Sequence, residues 1–166
     1  MITGMNEEQF HQCVTAFSDG LYRFALKNLK DHDEASEIVQ GSFEKLWLHR
    51  NKVDPNKSKN YLFTVAYHLM ADYWRRNKKM MPITDESAMQ QAAPSTEYKG
   101  LKELINKALE TLPDIQRTVI LLRDYEGYSY EEIGSITGLN ESQVKVYIFR
   151  ARQTLKNHLG SMEGII

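Results

Sequence analysis

Cysteine is almost absent from this sequence, since Cys13 is the only one among 166 residues. Within one chain this excludes both a disulfide framework and a cysteine zinc site, and it fits a reducing, intracellular setting. The five histidines show no close metal-ligand spacing either. We therefore expect no metal and no other cofactor.

Long apolar runs are missing as well. No stretch approaches the roughly 20 apolar residues of a membrane-spanning helix, and the N-terminus lacks the basic start and apolar core of a secretion signal. These absences predict a cytoplasmic protein without direct membrane insertion. We also expect no enzyme, because no Ser/His/Asp set, glycine-rich phosphate loop or metal constellation is visible.

The net charge is only −1, but the charges are unevenly distributed along the chain. Residues 1–40 contain seven acidic and three basic residues, whereas residues 41–80 contain three acidic and nine basic ones. An acidic surface therefore adjoins a basic one, which indicates two different partners. The alternative is that both are ordinary solvated faces.

Apolar residues recur with helical spacing almost throughout, and hairpin signals are missing. We predict an all-α fold of two small helical domains, residues 1–80 and 100–166, joined by a flexible linker at 81–99. The linker contains Pro82 and Pro94 and has no periodicity. The predicted helices before the last pair are Asn6–Phe17, Asp19–Leu29, Asp33–Arg50, Ser58–Lys79, Leu101–Leu112 and Asp114–Glu126.

The segment Tyr128–Leu159 has the pattern of a helix-turn-helix. Ser129 and Glu132 form a capping box at the start of its first helix, and Asn140 and Gln143 form a weaker one at the second. Gly138 occupies the place where a helix end needs a left-handed residue. A short glycine-containing turn between two capped helices is typical of DNA-binding units.

The second helix of this unit has one apolar face and one mixed face. Val144, Ile148, Ala151 and Leu155 recur at buried positions. Side chains suited to bases and phosphates lie on or beside the opposite face: Ser142, Gln143, Lys145, Val146, Phe149, Arg150 and Gln153. Apolar Val146 and Phe149 suit thymine methyl groups, and the cations suit phosphates and base edges. The alternative is a solvated helix of an all-α bundle.

Aromatic and basic residues are interleaved in the predicted helix Ser58–Lys79. It contains Tyr61, Phe63, Tyr67, Tyr73 and Trp74, and it ends with Arg75, Arg76, Lys78 and Lys79. Proteins use such a mixture to stack unpaired bases and hold their phosphates. Core packing is the alternative, and we favour it for Phe63 and Tyr73. Helical spacing puts Tyr61, His68 and Arg75 on one face, so we expect His68 and Arg75 on the DNA side and Tyr61 partly exposed.

The predicted helix Asp33–Arg50 begins with a capping pattern of Asp31 and Glu34. Its buried stripe consists of Ala35, Ile38, Val39, Ser42 and Leu46. The other face presents Glu37, Gln40 and Glu44.

Three blocks of sequence resemble the extracytoplasmic-function (ECF, group 4) sigma factors of bacterial RNA polymerase. They are Ala35–Phe43, Tyr61–Ala66 leading to Asp72–Arg76, and Leu112-Pro113 followed by the helix-turn-helix that ends at Val144–Arg152. Their order and spacing match the family over roughly residues 10–160. The resemblance implies two helical domains on a flexible linker, with no catalytic activity.

The resemblance also implies a role for each surface. Glu37, Gln40 and Glu44 would bind core RNA polymerase, at the clamp coiled coil of its largest catalytic subunit. The loop Leu48–Asn60 would capture a base flipped from the −10 element. The following helix would open that element, which implies −10 contacts by Lys57, Lys59, Tyr61, His68, Arg75 and Arg76. The helix Glu141–His158 would read the −35 element through its seven mixed-face residues, and an anti-sigma factor is an implied partner.

This chain departs from the family pattern at several positions. His68 stands where Asn is usual and Tyr67 where a basic residue is frequent, so the −10 base preference is open. Gly41 stands where an acid is common, which removes one possible clamp contact. Val146 replaces a frequent small polar residue, which favours a methyl contact. A linker of about twenty residues extends about 66 Å, nearly two turns of B-DNA, so both promoter elements are within reach.

Two other function classes remain open. One is a stand-alone helix-turn-helix regulator with an N-terminal sensor or dimerisation domain, because Leu112–Arg152 also resembles response-regulator DNA-binding domains. Binding to core polymerase discriminates between this class and a sigma factor. The other is an enzyme, which turnover of a small-molecule substrate would reveal.

Overall fold

The computed structural model describes residues 4–80 and 97–160, and within these ranges all regular structure is helical. The helices are α1 (Glu7–Leu29), α2 (His32–Leu48), α3 (Ser58–Met80), α4 (Glu97–Glu110), α5 (Asp114–Ile120), α6 (Tyr130–Thr137) and α7 (Glu141–Gly160). Two short 3₁₀ turns, Arg50–Lys52 and Pro55–Lys57, connect α2 to α3. The all-α prediction is confirmed. No described helix has both the length and the apolar character to cross a membrane.

The first helix corrects the prediction of two separate helices. We expected a break between Phe17 and Asp19, but α1 runs unbroken from Glu7 to Leu29. The Ser18 hydroxyl donates to the carbonyl oxygen of Val14 at 2.6 Å, one turn back. It therefore supports the existing helix instead of capping a new one. The helix ends at Lys30, which adopts a left-handed conformation with φ of 57°.

Helices α1, α2 and α3 form the N-terminal half of the structure. Their buried side chains include Phe24, Leu46, Leu62 and Met70, all between 0 and 1% exposed. Gly41 of α2 lies at the contact with α3, where an added Cβ would lie 3.1 Å from Cδ1 of Leu69. The position predicted as a lost clamp contact thus faces the neighbouring helix, and its glycine allows the two backbones to approach closely.

Helices α4 to α7 form the C-terminal half. The predicted helix Asp114–Glu126 is only partly correct, because α5 ends at Ile120 and a π-helical turn, Leu121–Tyr125, follows it. In that turn the N–H of Glu126 donates to the carbonyl oxygen of Leu121 at 3.1 Å. This i→i−5 bond is the one that defines a π-helical turn.

The helix-turn-helix signals are all present as hydrogen bonds. The Ser129 hydroxyl accepts from the Glu132 N–H at 3.1 Å, and the Glu132 carboxylate accepts from the Ser129 N–H at 2.8 Å. Asn140 and Gln143 form the equivalent pair at 2.8 and 3.0 Å. Gly138 has φ of 83° and donates to the Gly134 carbonyl at 2.7 Å. Both capping boxes and the left-handed corner were therefore predicted correctly.

The predicted linker at 81–99 falls mainly on residues 81–96, which lie outside the described residues. Its last three residues, 97–99, instead belong to α4. The boundaries 1–80 and 100–166 stay predictions.

The helix-turn-helix depends on a glycine that the sequence pattern did not single out. A Cβ on Gly134 would lie 2.7 Å from the carbonyl oxygen of Leu139. Real Cβ atoms do not approach backbone oxygens so closely, so α6 and the turn must separate to admit a side chain. Only glycine permits this turn as it stands.

We expect Gly134→Ala to destabilise the C-terminal half by about 1–3 kcal/mol, since overpacking displaces backbone. Urea unfolding followed by circular dichroism measures the change. Gly100→Ala is the matched control, because no atom within 4 Å would meet its Cβ. Equal stability of the two variants would contradict the proposed clash.

Candidate functional site

The outer face of α7 is well exposed. Val144, Ile148 and Ala151 are buried, while Phe149 is 66% exposed and Val146 44%. Ser142, Lys145, Arg150 and Gln153 are also exposed, so the structure places these mixed-face residues towards solvent. Val146 and Phe149 are three residues apart and so lie side by side on the helix, and contiguous exposed apolar area of this kind marks interaction sites.

Two of the mixed-face residues have intramolecular partners. The Gln143 side-chain oxygen accepts from the Asn140 N–H at 3.0 Å, so this oxygen caps α7 and leaves the amide NH₂ as its outward group. The Lys145 ammonium lies 3.6 Å from the Glu141 carboxylate and 5.6 Å from the centre of the Tyr130 ring. An exposed ion pair of this kind contributes about 0–1 kcal/mol, so a phosphate can replace Glu141.

The α3 surface is basic and exposed along one line. His68, Arg75 and Arg76 are exposed, and Tyr61 is half-buried at the start of the helix, as predicted. Arg75 pairs with Asp72. Phe63 is buried at 1% exposure, but Tyr73 is only half-buried, so the predicted core position of Tyr73 is wrong.

A groove of about 580 Å³ lies between the α2–α3 connection and the start of α3. It is lined by His49, Lys52, Val53, Asp54, Lys57, Asn60, Tyr61 and Thr64. Nδ1 of His49 lies 3.1 Å from the Tyr61 hydroxyl oxygen. Burial raises the pKa of that phenol, so it stays a protonated donor and acceptor at the edge of the groove.

The two predicted loop cations differ in their surroundings. Lys57 is exposed beside the groove, whereas Lys59 is half-buried. The Lys59 ammonium lies 5.3 Å from the centre of the Tyr128 ring and 5.9 Å from that of Phe63. Lys59 therefore contacts the C-terminal half in this structure.

The polar face of α2 is exposed as predicted, since Glu37, Gln40 and Glu44 all face solvent. The Gln40 amide donates to the Glu44 carboxylate at 3.3 Å. Beside them lies an aromatic groove that the sequence analysis did not identify. The Phe10 ring centroid is 4.9 Å from that of Trp47 and 6.2 Å from that of Phe43. The sequence does contain an indication of this groove. Phe43 and Trp47 make the apolar stripe of α2 wider than the surface that α3 can cover.

Arg50 adds a cation to this aromatic groove. Its guanidinium carbon lies 3.8 Å from the centre of the Trp47 ring, and its NH1 donates to the Trp47 carbonyl at 2.7 Å. Trp47 is 38% exposed. The surface thus combines aromatic faces with two carboxylates, which suits a protein partner more than a nucleic acid.

A set of buried polar residues at the contact between the two halves also escaped the sequence analysis. Asn28, Arg117 and Thr118 are between 0 and 4% exposed. A polar residue among apolar ones in the sequence indicates a buried hydrogen bond, but the sequence alone does not identify the residue at the other end of that bond. Among the described residues, no group of three or more His, Cys, Asp or Glu is placed to hold a metal ion.

Comparison with protein-family models finds two matches in sequence order. The model for sigma-70 region 2 matches residues 13–80, which include α2 and α3. The model for sigma-70, region 4 matches residues 102–155, which include the helix-turn-helix. Together the two matches cover more than half of the chain.

Two curated relatives and one solved structure extend this likeness. The ECF RNA polymerase sigma factor SigM of Bacillus subtilis (strain 168) is 33% identical over 144 residues, covering 84% of this chain and 88% of SigM. The RNA polymerase sigma factor SigV of the same organism is 30% identical over 149 residues, covering 89% of each chain. The sigma factor RpoE of Bartonella quintana, solved in complex with the anti-sigma factor NepR, superposes with a TM-score of 0.72 at 27% identity. That superposition covers 92% of this chain and 98% of RpoE.

Proposed function

The chain belongs to the extracytoplasmic-function sigma factors of bacterial RNA polymerase, and on that premise we propose that it directs core polymerase to promoters by reading a −35 element and opening a −10 element. We place it in group 4, as a transcription initiation factor and not an enzyme. The observation that carries the proposal is the coexistence, on one chain, of a duplex-reading helix and an aromatic-basic helix beside a base-sized groove. A stand-alone regulator needs only the first.

In this proposal α7 lies in the major groove of the −35 element. Phe149 and Val146 contact thymine methyl groups, and Lys145 and Arg150 bind phosphates or base edges. Ser142, Gln143 and Gln153 supply hydrogen bonds to bases or the backbone. The exposure of these side chains, and the buried stripe behind them, support this orientation of the helix.

The α3 surface holds the melted −10 strand. Its groove volume of about 580 Å³ falls within the range of about 300–1,000 Å³ that small-molecule sites occupy, so a flipped base fits. Lys57 lines this groove, and His68, Arg75 and Arg76 continue the basic surface along the helix. Lys59, which lies over the Tyr128 ring, is proposed to hold a phosphate of the same strand. Stacking on an aromatic is worth roughly 1–3 kcal/mol per base, enough to offset unstacking when phosphates are also held.

Core polymerase binds the exposed face of α2 through Glu37, Gln40 and Glu44, at the clamp coiled coil of its largest catalytic subunit. The neighbouring aromatic groove supplies apolar area that three polar side chains alone lack. An anti-sigma factor is a further proposed partner. The superposable RpoE structure is a complex with such a protein, which supports this assignment.

Reversing charge on the α2 face tests the polymerase site. Glu37→Lys combined with Gln40→Ala should weaken binding to core polymerase at least about tenfold, equivalent to about 1.4 kcal/mol, because the lost contacts are replaced by a repelled charge. Asp19→Lys makes the same charge change on an exposed part of α1 and is the control. A titration with labelled core polymerase in which both variants bind equally would refute the site.

The −35 assignment predicts a split between two kinds of variant. Phe149→Ala should cost about 1–3 kcal/mol at its cognate base pair only, whereas loss of a phosphate contact by Arg150→Ala should weaken all sequences and flatten the salt dependence. Arg152→Ala is the matched control, because its guanidinium is paired with Asp124 at 2.7 Å. Binding to promoter variants measures both effects. Unchanged binding by the first two variants would show that α7 faces elsewhere.

Strand opening can be separated from binding by permanganate footprinting of promoter complexes. The triple variant His68→Ala, Lys57→Ala, Lys59→Ala should reduce thymine reactivity in the −10 element and leave closed-complex binding intact, because in this proposal the DNA that these residues contact is the unpaired strand and not the duplex. Lys45→Ala with Lys107→Ala removes two exposed lysines outside the α3 surface and serves as control. Wild-type reactivity in the triple variant would refute the melting surface.

A further inference from the structure

A cavity of about 440 Å³ lies where α1 meets α4, and none of the residues that line it has a role in the proposed function. Four cations line this α1–α4 cavity: Arg23, Lys27 and Lys30 from α1, and Lys102 from α4. Glu110 is the one carboxylate among the described residues that line it. The cavity therefore carries an excess of positive charge.

Lys27 is the cation that the cavity encloses most. It is half-buried, whereas the other three cations are exposed. Its ammonium donates to the Asn106 side-chain oxygen at 3.1 Å and lies 5.3 Å from the centre of the Tyr125 ring. Burial lowers the pKa of Lys27, and the positive charges of Lys102 and Arg23 lower it further. The folded chain thus holds these cations together against their mutual repulsion.

The carboxylate at the cavity is held only weakly. The Lys30 ammonium lies 3.4 Å from the Glu110 carboxylate, and both side chains are more than a third exposed. Glu110 raises the pKa of Lys30 against the lowering effect of burial. Exposed ion pairs of this kind contribute little to stability, so an anion of higher charge can displace Glu110 from Lys30.

Aromatic rings form one wall of the cavity. The ring planes of Tyr22 and His32 are inclined by 29°, with their centroids 6.3 Å apart. The Tyr22 hydroxyl oxygen lies 2.7 Å from Nδ1 of His32, and this hydrogen bond limits the rotation of both rings. Leu26 and Leu109 add apolar surface. A flat group can therefore stack in the cavity while phosphates attached to it contact the ammonium groups.

We propose that the α1–α4 cavity binds a small molecule with two or more adjacent phosphates and a flat ring, of which a nucleoside diphosphate is the simplest example. Lys27 and Lys102 bind the phosphates from two different helices, and the wall formed by Tyr22 and His32 takes the ring. The volume falls within the range of about 300–1,000 Å³ of small-molecule sites, so a single nucleotide fits and a duplex does not. The bound phosphates remove the repulsion between the cations of α1 and α4.

Titration calorimetry on the full chain tests the site with three probes: inorganic phosphate, inorganic pyrophosphate and ADP. The buffer contains salt at about 0.15 M, which screens exposed charges, and no divalent metal. ADP should bind at least about tenfold more tightly than phosphate, because two phosphates reach two cations. It should bind at least about fivefold more tightly than pyrophosphate, because only ADP has a ring that stacks on the aromatic wall.

Three variants separate the proposed contacts from net charge. Lys27→Met and Lys102→Met should each weaken ADP binding at least about fivefold through the loss of a charge-assisted hydrogen bond. Lys107→Met removes an exposed lysine of α4 outside the cavity and should match the wild-type chain. Circular dichroism establishes that each variant is folded. Lys102 is exposed, so its variant keeps the test decisive if Lys27→Met does not fold.

A fourth variant, Tyr22→Leu, tests the aromatic wall. It should remove the advantage of ADP over pyrophosphate and leave pyrophosphate binding unchanged, since only the ring loses its partner. Equal binding of ADP and pyrophosphate by the wild-type chain would overturn the assignment of this wall.

Two further results would overturn the site as a whole. Equal losses in Lys107→Met and Lys27→Met would show that the phosphates respond to net charge alone. A hexaglutamate peptide that binds more tightly than ADP and depends on Lys27 would assign the cavity to an acidic protein segment instead. These titrations use the isolated chain, so their failure leaves the proposed function in transcription untouched.

Discussion

The buried guanidinium of Arg117 is the interaction on which the arrangement of the chain depends. A charge at 4% exposure is strongly unfavourable unless hydrogen bonds replace water. Here NH1 donates to the Leu112 carbonyl at 2.9 Å, and NH2 donates to Asp114 at 2.6 Å and to the Asn28 carbonyl at 3.1 Å. The first two partners fix the start of α5, and the third ties α5 to α1. Arg117 thus fixes the start of α5 against α1, and the Phe63–Tyr128 ring contact adds a direct link from α3 to the C-terminal half.

Each proposed binding surface lies on the face of a helix opposite to the face that packs in the core. In α7 the Val144, Ile148 and Ala151 face packs on α5, so the opposite face is held at a fixed angle for a duplex. In α2 the small residues Ala35 and Ser42, both fully buried, bring the helix close to its neighbours and turn its acidic face outward. Helices thus present the contacts, and the short α2–α3 connection lines the groove of about 580 Å³ that is proposed for a flipped base. Function follows from which face each helix buries.

Local signals in the sequence predicted local structure well. Ser129, Asn140 and Gly138 act through bonds within four residues, so their pattern can be read directly. Features decided by distant partners were not predictable in this way. Helix α1 is unbroken because the Ser18 hydroxyl donates to the Val14 carbonyl instead of capping a new helix. The π-helical turn depends on packing after Ile120. The contact of Lys59 with Tyr128 depends on how the two halves meet. The exposure of the named site residues was largely predictable, because the helical spacing of apolar residues and the positions of charged residues both indicate which side chains face solvent. Their binding roles came from the family resemblance.

We propose above all that this chain makes core polymerase start transcription at promoters defined by two elements. The most direct measurement is transcription of fragmented genomic DNA by purified core polymerase, with and without the protein, followed by sequencing of the transcript 5′ ends. The account predicts new start sites that appear only with the protein and share one motif near −35 and another near −10. Start sites that do not depend on the protein, or a single bound motif without initiation, would contradict it and favour a stand-alone DNA-binding regulator.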